Sequence, residues 1–211
     1  MRAYLTETIG TFFLVLTIGL SVMGGSPMAP LAIGASLMVM VYMGWHISGG
    51  HYNPAVTLAV ALRRQLPMPE VLKYWVSQLV GATLGAFAAY VIMNRTFAPA
   101  PGFGVTSIEA IAVEFFYTFA LCLVVLQTRT SSKTTGNQYY GLAIGFTVVV
   151  AAFAGGGVSG GAFNPAVGFG PTLIYTIFGH GTMRELWIYI VGPFLGALAS
   201  VAVFKLQGDD A

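Results

Sequence analysis

Two stretches decide the fold of this chain: Ser-Gly-Gly-His-Tyr-Asn-Pro-Ala-Val at residues 48–56 and Ser-Gly-Gly-Ala-Phe-Asn-Pro-Ala-Val at residues 159–167. Asn is a favoured helix N-cap, because its side-chain oxygen accepts a hydrogen bond from an otherwise free backbone N–H. Pro suits the next position, where its fixed φ is helical and no N–H is needed. The stretches therefore predict two helices that begin at Pro54 and Pro165, each preceded by glycine-rich irregular backbone.

These stretches belong to an internal repeat. Residues 31–56 and 142–167 share 13 identities in 26 positions at a fixed offset of 111. Shared apolar composition alone does not give that many identities. The repeat divides the chain into halves of about residues 1–100 and 101–211, and we expect them to form one domain over residues 1–211.

The composition is that of a membrane protein: 56% of the residues are hydrophobic and only 8% are charged, against roughly 25% charged in soluble domains. A bilayer span needs ~20 mainly apolar residues. Six segments satisfy this requirement, near residues 4–23, 31–47, 70–93, 107–127, 138–156 and 185–206. The low net charge of +2 gives no indication of nucleic-acid binding.

Two further apolar stretches, Pro54–Leu62 and Pro165–Ile177, are too short to span. Ten residues of helix measure ~15 Å, about half of a ~30 Å hydrocarbon core. Each half of the chain then has three spans and one short helix, so the second half enters the membrane inverted. The predicted fold is an all-α integral membrane protein with six transmembrane helices and two re-entrant half-helices.

The distribution of basic residues predicts the orientation, because cytoplasmic loops are enriched in Lys and Arg. Placing both termini in the cytoplasm puts seven of the nine basic residues inside: Arg2, Arg63, Arg64, Lys73, Arg129, Lys133 and Lys205. Only Arg95 and Arg184 then lie outside. The absence of long tails favours a bacterial plasma membrane.

The two half-helices predict a pore. Inverted repeats place their functional site near the bilayer midplane, between interrupted helices. Each helix N-terminus carries about half a positive charge, so two that face one pore repel cations, while the Asn amides donate hydrogen bonds to polar solutes. This arrangement favours a passive channel for water and small uncharged solutes.

The paired motifs resemble the signature of the aquaporin superfamily, and Glu-Thr-Ile-Gly-Thr-Phe at residues 7–12 resembles the start of the family's first helix. The resemblance implies a homotetramer with one pore in each subunit. The family motifs fall on Asn53, Pro54, Ala55, Asn164, Pro165 and Ala166. The family resemblance also implies that Glu7 and Glu114 accept hydrogen bonds from the irregular backbone before each motif.

The chain departs from the family at the selectivity filter. Most members carry arginine directly after the second motif, where this chain has Val167. The resemblance places the other filter positions at Ile33, Ala152 and Gly161, of which Gly161 is the position of cysteine in mercury-sensitive members. A filter without arginine or an aromatic ring predicts a wider pore that passes glycerol, urea or neutral metalloid acids. Alternatively, a neighbouring side chain or loop fills that space.

Other classes of function have less support. A coupled secondary transporter also uses inverted repeats, but Glu7 and Glu114 are the only charges deep in the spans. A closed-pore structural protein would need more exposed surface than the short loops provide. No nucleophile with a base, cofactor motif or metal-ligand spacing indicates an enzyme, cofactor or metal site. Trp45, Trp75 and Trp187 are interpreted as interfacial anchors.

Overall fold

The computed structural model describes residues 1–208, which form helices and turns without any strand. In chain order the α-helices are α1 (Arg2–Met23), α2 (Ala29–Ser48), α3 (Pro54–Leu62), α4 (Met68–Met93), α5 (Ser107–Arg129), α6 (Tyr140–Ser159), α7 (Pro165–Phe178) and α8 (Ile188–Leu206). All except α3 and α7 are long and apolar enough to cross a membrane. The prediction of six transmembrane helices and two half-helices is therefore confirmed.

The half-helices begin where their Asn-Pro pairs predict. The Asn53 side chain caps α3 by accepting a hydrogen bond from Ala55 N at 2.9 Å, and the Asn164 side chain caps α7 in the same way through Ala166 N at 2.9 Å. The bounds of α3 match the prediction. α7 extends one residue further, to Phe178, before Gly179 follows it.

The spans pack in pairs that repeat between the halves: α1 against α4, α5 against α8, and α2 against α6 across the two halves. Glycine permits the last crossing, because a Cβ on Gly34 would lie 2.5 Å from Gly145 O, and a Cβ on Gly145 would lie 2.5 Å from Gly34 O. This reciprocal contact is what an approximate two-fold axis between inverted halves produces.

Small residues also allow close packing inside each half. A Cβ on Gly81 would lie 2.3 Å from Thr8 O, and a Cβ on Gly196 would lie 2.6 Å from Phe115 O. Small side chains of this kind let membrane helices approach until their backbones touch. The eight helices thus enclose a central space in which the two half-helices meet.

Candidate functional site: a pore between the half-helices

The N-termini of α3 and α7 are joined by reciprocal hydrogen bonds. Asn53 Nδ2 donates to Phe163 O at 2.9 Å, and Asn164 Nδ2 donates to Tyr52 O at 2.8 Å. An amide NH₂ has two donor hydrogens, so each asparagine keeps one for another acceptor. Both asparagines line the central cavity. The caps of the half-helices therefore also present hydrogen-bond donors to the lumen.

The residue before each asparagine adopts a left-handed backbone conformation. Tyr52 has φ of 49° and Phe163 has φ of 50°, a conformation that costs a non-glycine residue roughly 1–2 kcal/mol. In both loops this conformation turns the carbonyl of that residue to the asparagine of the opposite half. The backbone strain is therefore tied to the contact that joins the half-helices.

A buried carboxylate holds each strained loop. Glu7 is fully buried and accepts hydrogen bonds from His51 N at 2.9 Å and Tyr52 N at 2.7 Å. Glu114, also fully buried, accepts from Ala162 N at 3.0 Å and Phe163 N at 2.6 Å. Ser48 Oγ and Ser159 Oγ donate to the same carboxylates, each at 2.7 Å. Both carboxylates thus contact the backbone that precedes the motif.

Sequence reasoning missed three supporting side chains. Gln78 Nε2 donates to Glu7 Oε2 and to Thr57 Oγ1, both at 2.8 Å. Tyr74 and Tyr189 donate from their hydroxyls to the last carbonyls of α2 and α6, at 2.8 and 2.6 Å. An uncharged amide inside an apolar span is a usable signal for Gln78, since polar groups in membrane helices are costly unless they are partnered.

The central cavity has a volume of about 310 Å³. Its middle section is lined by pairs of residues that occupy equivalent positions in the two halves. These pairs are Leu14 with Leu121, Ile18 with Val125, Ile33 with Ile144, Leu37 with Val148, Gly50 with Gly161, His51 with Ala162, Asn53 with Asn164, and Val56 with Val167. Apart from the asparagines and His51, the paired positions are apolar or glycine.

The structure brings three of the four predicted filter residues to this cavity. Ile33, Gly161 and Val167 form part of its lining, whereas Ala152 lies on α6 outside it. The short methyl side chain of Ala152 offers little reach towards the lumen. A valine therefore occupies the cavity wall where the family motif would place a guanidinium.

One mouth of the cavity is lined by aromatic, charged and hydroxyl side chains, unlike the mainly apolar middle section. Trp45, Arg129 and Thr130 contribute to its lining there, and we call this end the Trp45 mouth. Arg129 is the one charged residue in the cavity lining among residues 1–208. The same part of the chain contains no group of three or more His, Cys, Asp or Glu residues that could hold a metal ion.

Trp75, expected to be an interfacial anchor, also makes contacts within the protein. Its Nε1 donates to Pro54 O at 3.0 Å, at the start of the first half-helix, and its ring packs on Phe194. The sequence position of Trp75, near the end of a span, does not indicate this contact with the first half-helix. Trp45 packs at the cavity mouth, with its ring 5.8 Å from that of Tyr140.

Comparison with known proteins agrees with this geometry. The family model described as "Major intrinsic protein" matches residues 1–204. The chain is 35% identical to aquaporin NIP1-1 of Oryza sativa subsp. japonica, over 98% of this chain and 74% of the relative. It is 32% identical to Nodulin-26 of Glycine max, over 98% and 78%. The aquaglyceroporin of Plasmodium falciparum shares the fold, with a TM-score of 0.87, 19% identity and coverage of 97% of this chain and 95% of that one.

Proposed function

Because the chain belongs to the major intrinsic protein family, we propose that its central cavity is the pathway of a passive channel for water and small uncharged solutes. The observation that carries the proposal is the reciprocal pairing of Asn53 and Asn164. Two half-helix N-termini at one point of a low-dielectric passage oppose cations. The remaining amide hydrogens replace part of the hydration of a neutral solute that passes between them.

We propose further that the pore admits solutes larger than water. Ile33, Gly161 and Val167 line the cavity and contribute no charge to the lumen. Valine is smaller than arginine and donates no hydrogen bond. The proposed solutes are therefore small neutral hydroxyl or amide compounds, such as glycerol, urea, and undissociated arsenous or boric acid.

The channel is an integral multi-pass membrane protein. We propose that both termini lie in the cytoplasm, supported by the excess of basic residues on that side of the bundle. The two relatives of 35% and 32% identity named above come from plants, which gives no support to the expectation of a bacterial plasma membrane. The homotetramer that the family resemblance implies stays a prediction, to be checked by chemical cross-linking in the native membrane.

Light scattering from proteoliposomes tests the proposed solute range. We expect the wild-type protein to pass water, glycerol, urea and boric acid above the rate of empty vesicles. Val167→Arg should retain water flux and lose most of the flux of the larger solutes. Val167→Leu is the matched control, since it keeps an apolar side chain on the same part of the cavity wall.

The same assay separates the competing functions. A channel gives flux that rises in proportion to solute concentration and needs no ion gradient. Saturation together with dependence on an imposed gradient would instead indicate a coupled transporter. If the wild type passes water alone, another group narrows the pore and the proposed wide filter is wrong. If nothing passes, a gated channel or a closed-pore structural protein becomes the leading hypothesis.

A further inference from the structure

Two aromatic rings hold the guanidinium group of Arg129 at the Trp45 mouth. The Arg129 Cζ atom lies 3.9 Å from the centroid of the Tyr140 ring and also packs over the Trp45 ring. Cations within about 6 Å of an aromatic centroid are attracted to the face of the ring. Arg129 is the last residue of α5, so the contacts fix its side chain between α2 and α6.

The ring of Tyr140 is itself fixed. It packs against Tyr42 with 5.1 Å between centroids. The Tyr42 hydroxyl donates to Gln138 O at 3.0 Å and accepts a hydrogen bond from Leu142 N at 3.2 Å. These contacts attach the start of α6 to α2. The aromatic clamp on Arg129 is therefore part of the helix packing.

The charge of Arg129 is not neutralised by a neighbouring carboxylate. Among residues 1–208, no acidic side chain lies within ion-pairing distance of it. Its Nε atom is buried and has no hydrogen-bond partner within that range. The rings contact a face of the guanidinium and leave its N–H donors for other acceptors. Arg129 lines the cavity, so this positive charge faces the pathway.

The internal repeat shows that this feature belongs to one mouth only. At the repeat offsets, Trp45 corresponds to Gly156 and Arg129 corresponds to Val22. The space around Gly156 is open, because a Cβ there would meet no atom within 4 Å. The middle of the cavity, by contrast, has identical or similarly apolar residues from the two halves, except for His51 opposite Ala162. The charged side chain that lines the cavity among residues 1–208 therefore lies at the Trp45 mouth.

We propose that Arg129, clamped by Trp45 and Tyr140, is the charge-selective residue of this pore and a hydrogen-bond donor to the oxygen atoms of hydroxylated solutes. This inference rests on the proposed function as a neutral-solute channel. A fixed guanidinium in a low-dielectric passage repels cations, including hydronium. Its planar set of donors also suits polyols and neutral oxyacids better than a single ammonium group does.

The test measures cation leak separately from solute flux. Proteoliposomes with an imposed membrane potential and an internal pH dye report proton and potassium leak for the wild type, Arg129→Gln and Arg129→Lys. Lys133→Gln is the matched control, because it removes a positive charge from an exposed position in the adjoining loop. Light scattering on the same vesicles reports water and glycerol flux.

Arg129→Gln should raise the cation leak by about tenfold, since a unit charge in a low-dielectric passage contributes a barrier worth at least one decade in rate. Water flux should persist. Arg129→Lys should keep the leak low but reduce the ratio of glycerol to water flux. If Arg129→Gln does not reconstitute, Trp45→Leu, which removes one clamping ring and keeps the charge, should raise the leak.

The inference is overturned if the leak of Arg129→Gln, or of Trp45→Leu in its place, equals that of the wild type and Lys133→Gln. If Arg129→Lys keeps the cation leak low and leaves the ratio of glycerol flux to water flux unchanged, the proposed hydrogen bonding to solutes is wrong. Failure of the wild type to pass glycerol would refute the wide filter instead. That failure is distinguishable, because cation leak and water flux are recorded independently.

Discussion

Replacing Glu114 by Gln is expected to destabilise the loop that carries the second half-helix. One carboxylate oxygen of Glu114 accepts from Ser159 Oγ and Ala162 N, and the other accepts from Phe163 N. A glutamine has a single acceptor oxygen and turns its NH₂ group to the other side. Whichever way the amide points, one backbone N–H, of Ala162 or of Phe163, is left facing a donor.

The loss in the free energy of unfolding follows from the backbone N–H that no longer has an acceptor. A hydrogen bond to a charged group contributes about 1.5–3 kcal/mol, and a buried donor without a partner costs about 1–3 kcal/mol. A neutral amide is cheaper to bury than a carboxylate, which offsets part of the loss. The expected net loss is about 2–4 kcal/mol. For a domain of this size, that corresponds to a fall of about 4–16 °C in the unfolding temperature.

Circular dichroism of the protein in detergent measures the unfolding temperature, and proteoliposome light scattering measures water flux. Glu185→Gln is the control, because it removes one acidic charge from an exposed position in the same half. Glu7→Gln should lower the free energy of unfolding by a similar amount, since it leaves either His51 N or Tyr52 N without an acceptor. The reasoning is refuted if Glu114→Gln unfolds within about 1 °C of Glu185→Gln and retains full water flux.

Three further outcomes are expected. Gly34→Val should prevent recovery of monodisperse protein in size-exclusion chromatography, because even a Cβ at this position would lie 2.5 Å from a carbonyl oxygen of α6. Gly156→Ala, which meets open space, should elute as the wild type does. Mercurials should leave wild-type water flux unchanged, since the sole cysteine, Cys122, is fully buried, whereas Val167→Cys should become sensitive. Tyr189→Phe should lower the unfolding temperature by a few degrees, because it removes a 2.6 Å hydrogen bond to the end of α6 that contributes about 0.5–1.5 kcal/mol.

The fold could be predicted because its signals are local. Asn-Pro pairs specify where a helix begins, and the prediction for the first half-helix agrees with Pro54–Leu62 in the structure. The repeat then supplied the inverted arrangement of the halves. The C-terminal end of α7 is harder to predict from sequence, because one further residue, Phe178, continues the helix before Gly179. Such a boundary has no capping signal as strong as the one at its start.

The parts of the site that escaped prediction depend on contacts between distant segments. Gln78 lies 71 residues from Glu7 along the chain, and Trp75 lies 21 residues from Pro54. Nothing in the residues beside them indicates these partners. Arg129 is a similar case: sequence alone interprets it as one of several basic residues at span ends. Only the packing of α2, α5 and α6 places its guanidinium between two rings on the pathway.

The repeat also indicates where function has diverged between the halves. Residues that make reciprocal contacts across the approximate two-fold axis are the same in both halves, as with Asn53 and Asn164, or Gly34 and Gly145. Supporting residues away from these contacts can differ, since Gln78 corresponds to Tyr189. The cavity-lining filter positions follow this rule too: Ile33, Gly161 and Val167 each have an identical counterpart that also lines the cavity. Positions that match across the axis make the middle of the pore alike from both sides. Differences between its two ends must therefore come from mismatched positions, of which Trp45 with Gly156 is one.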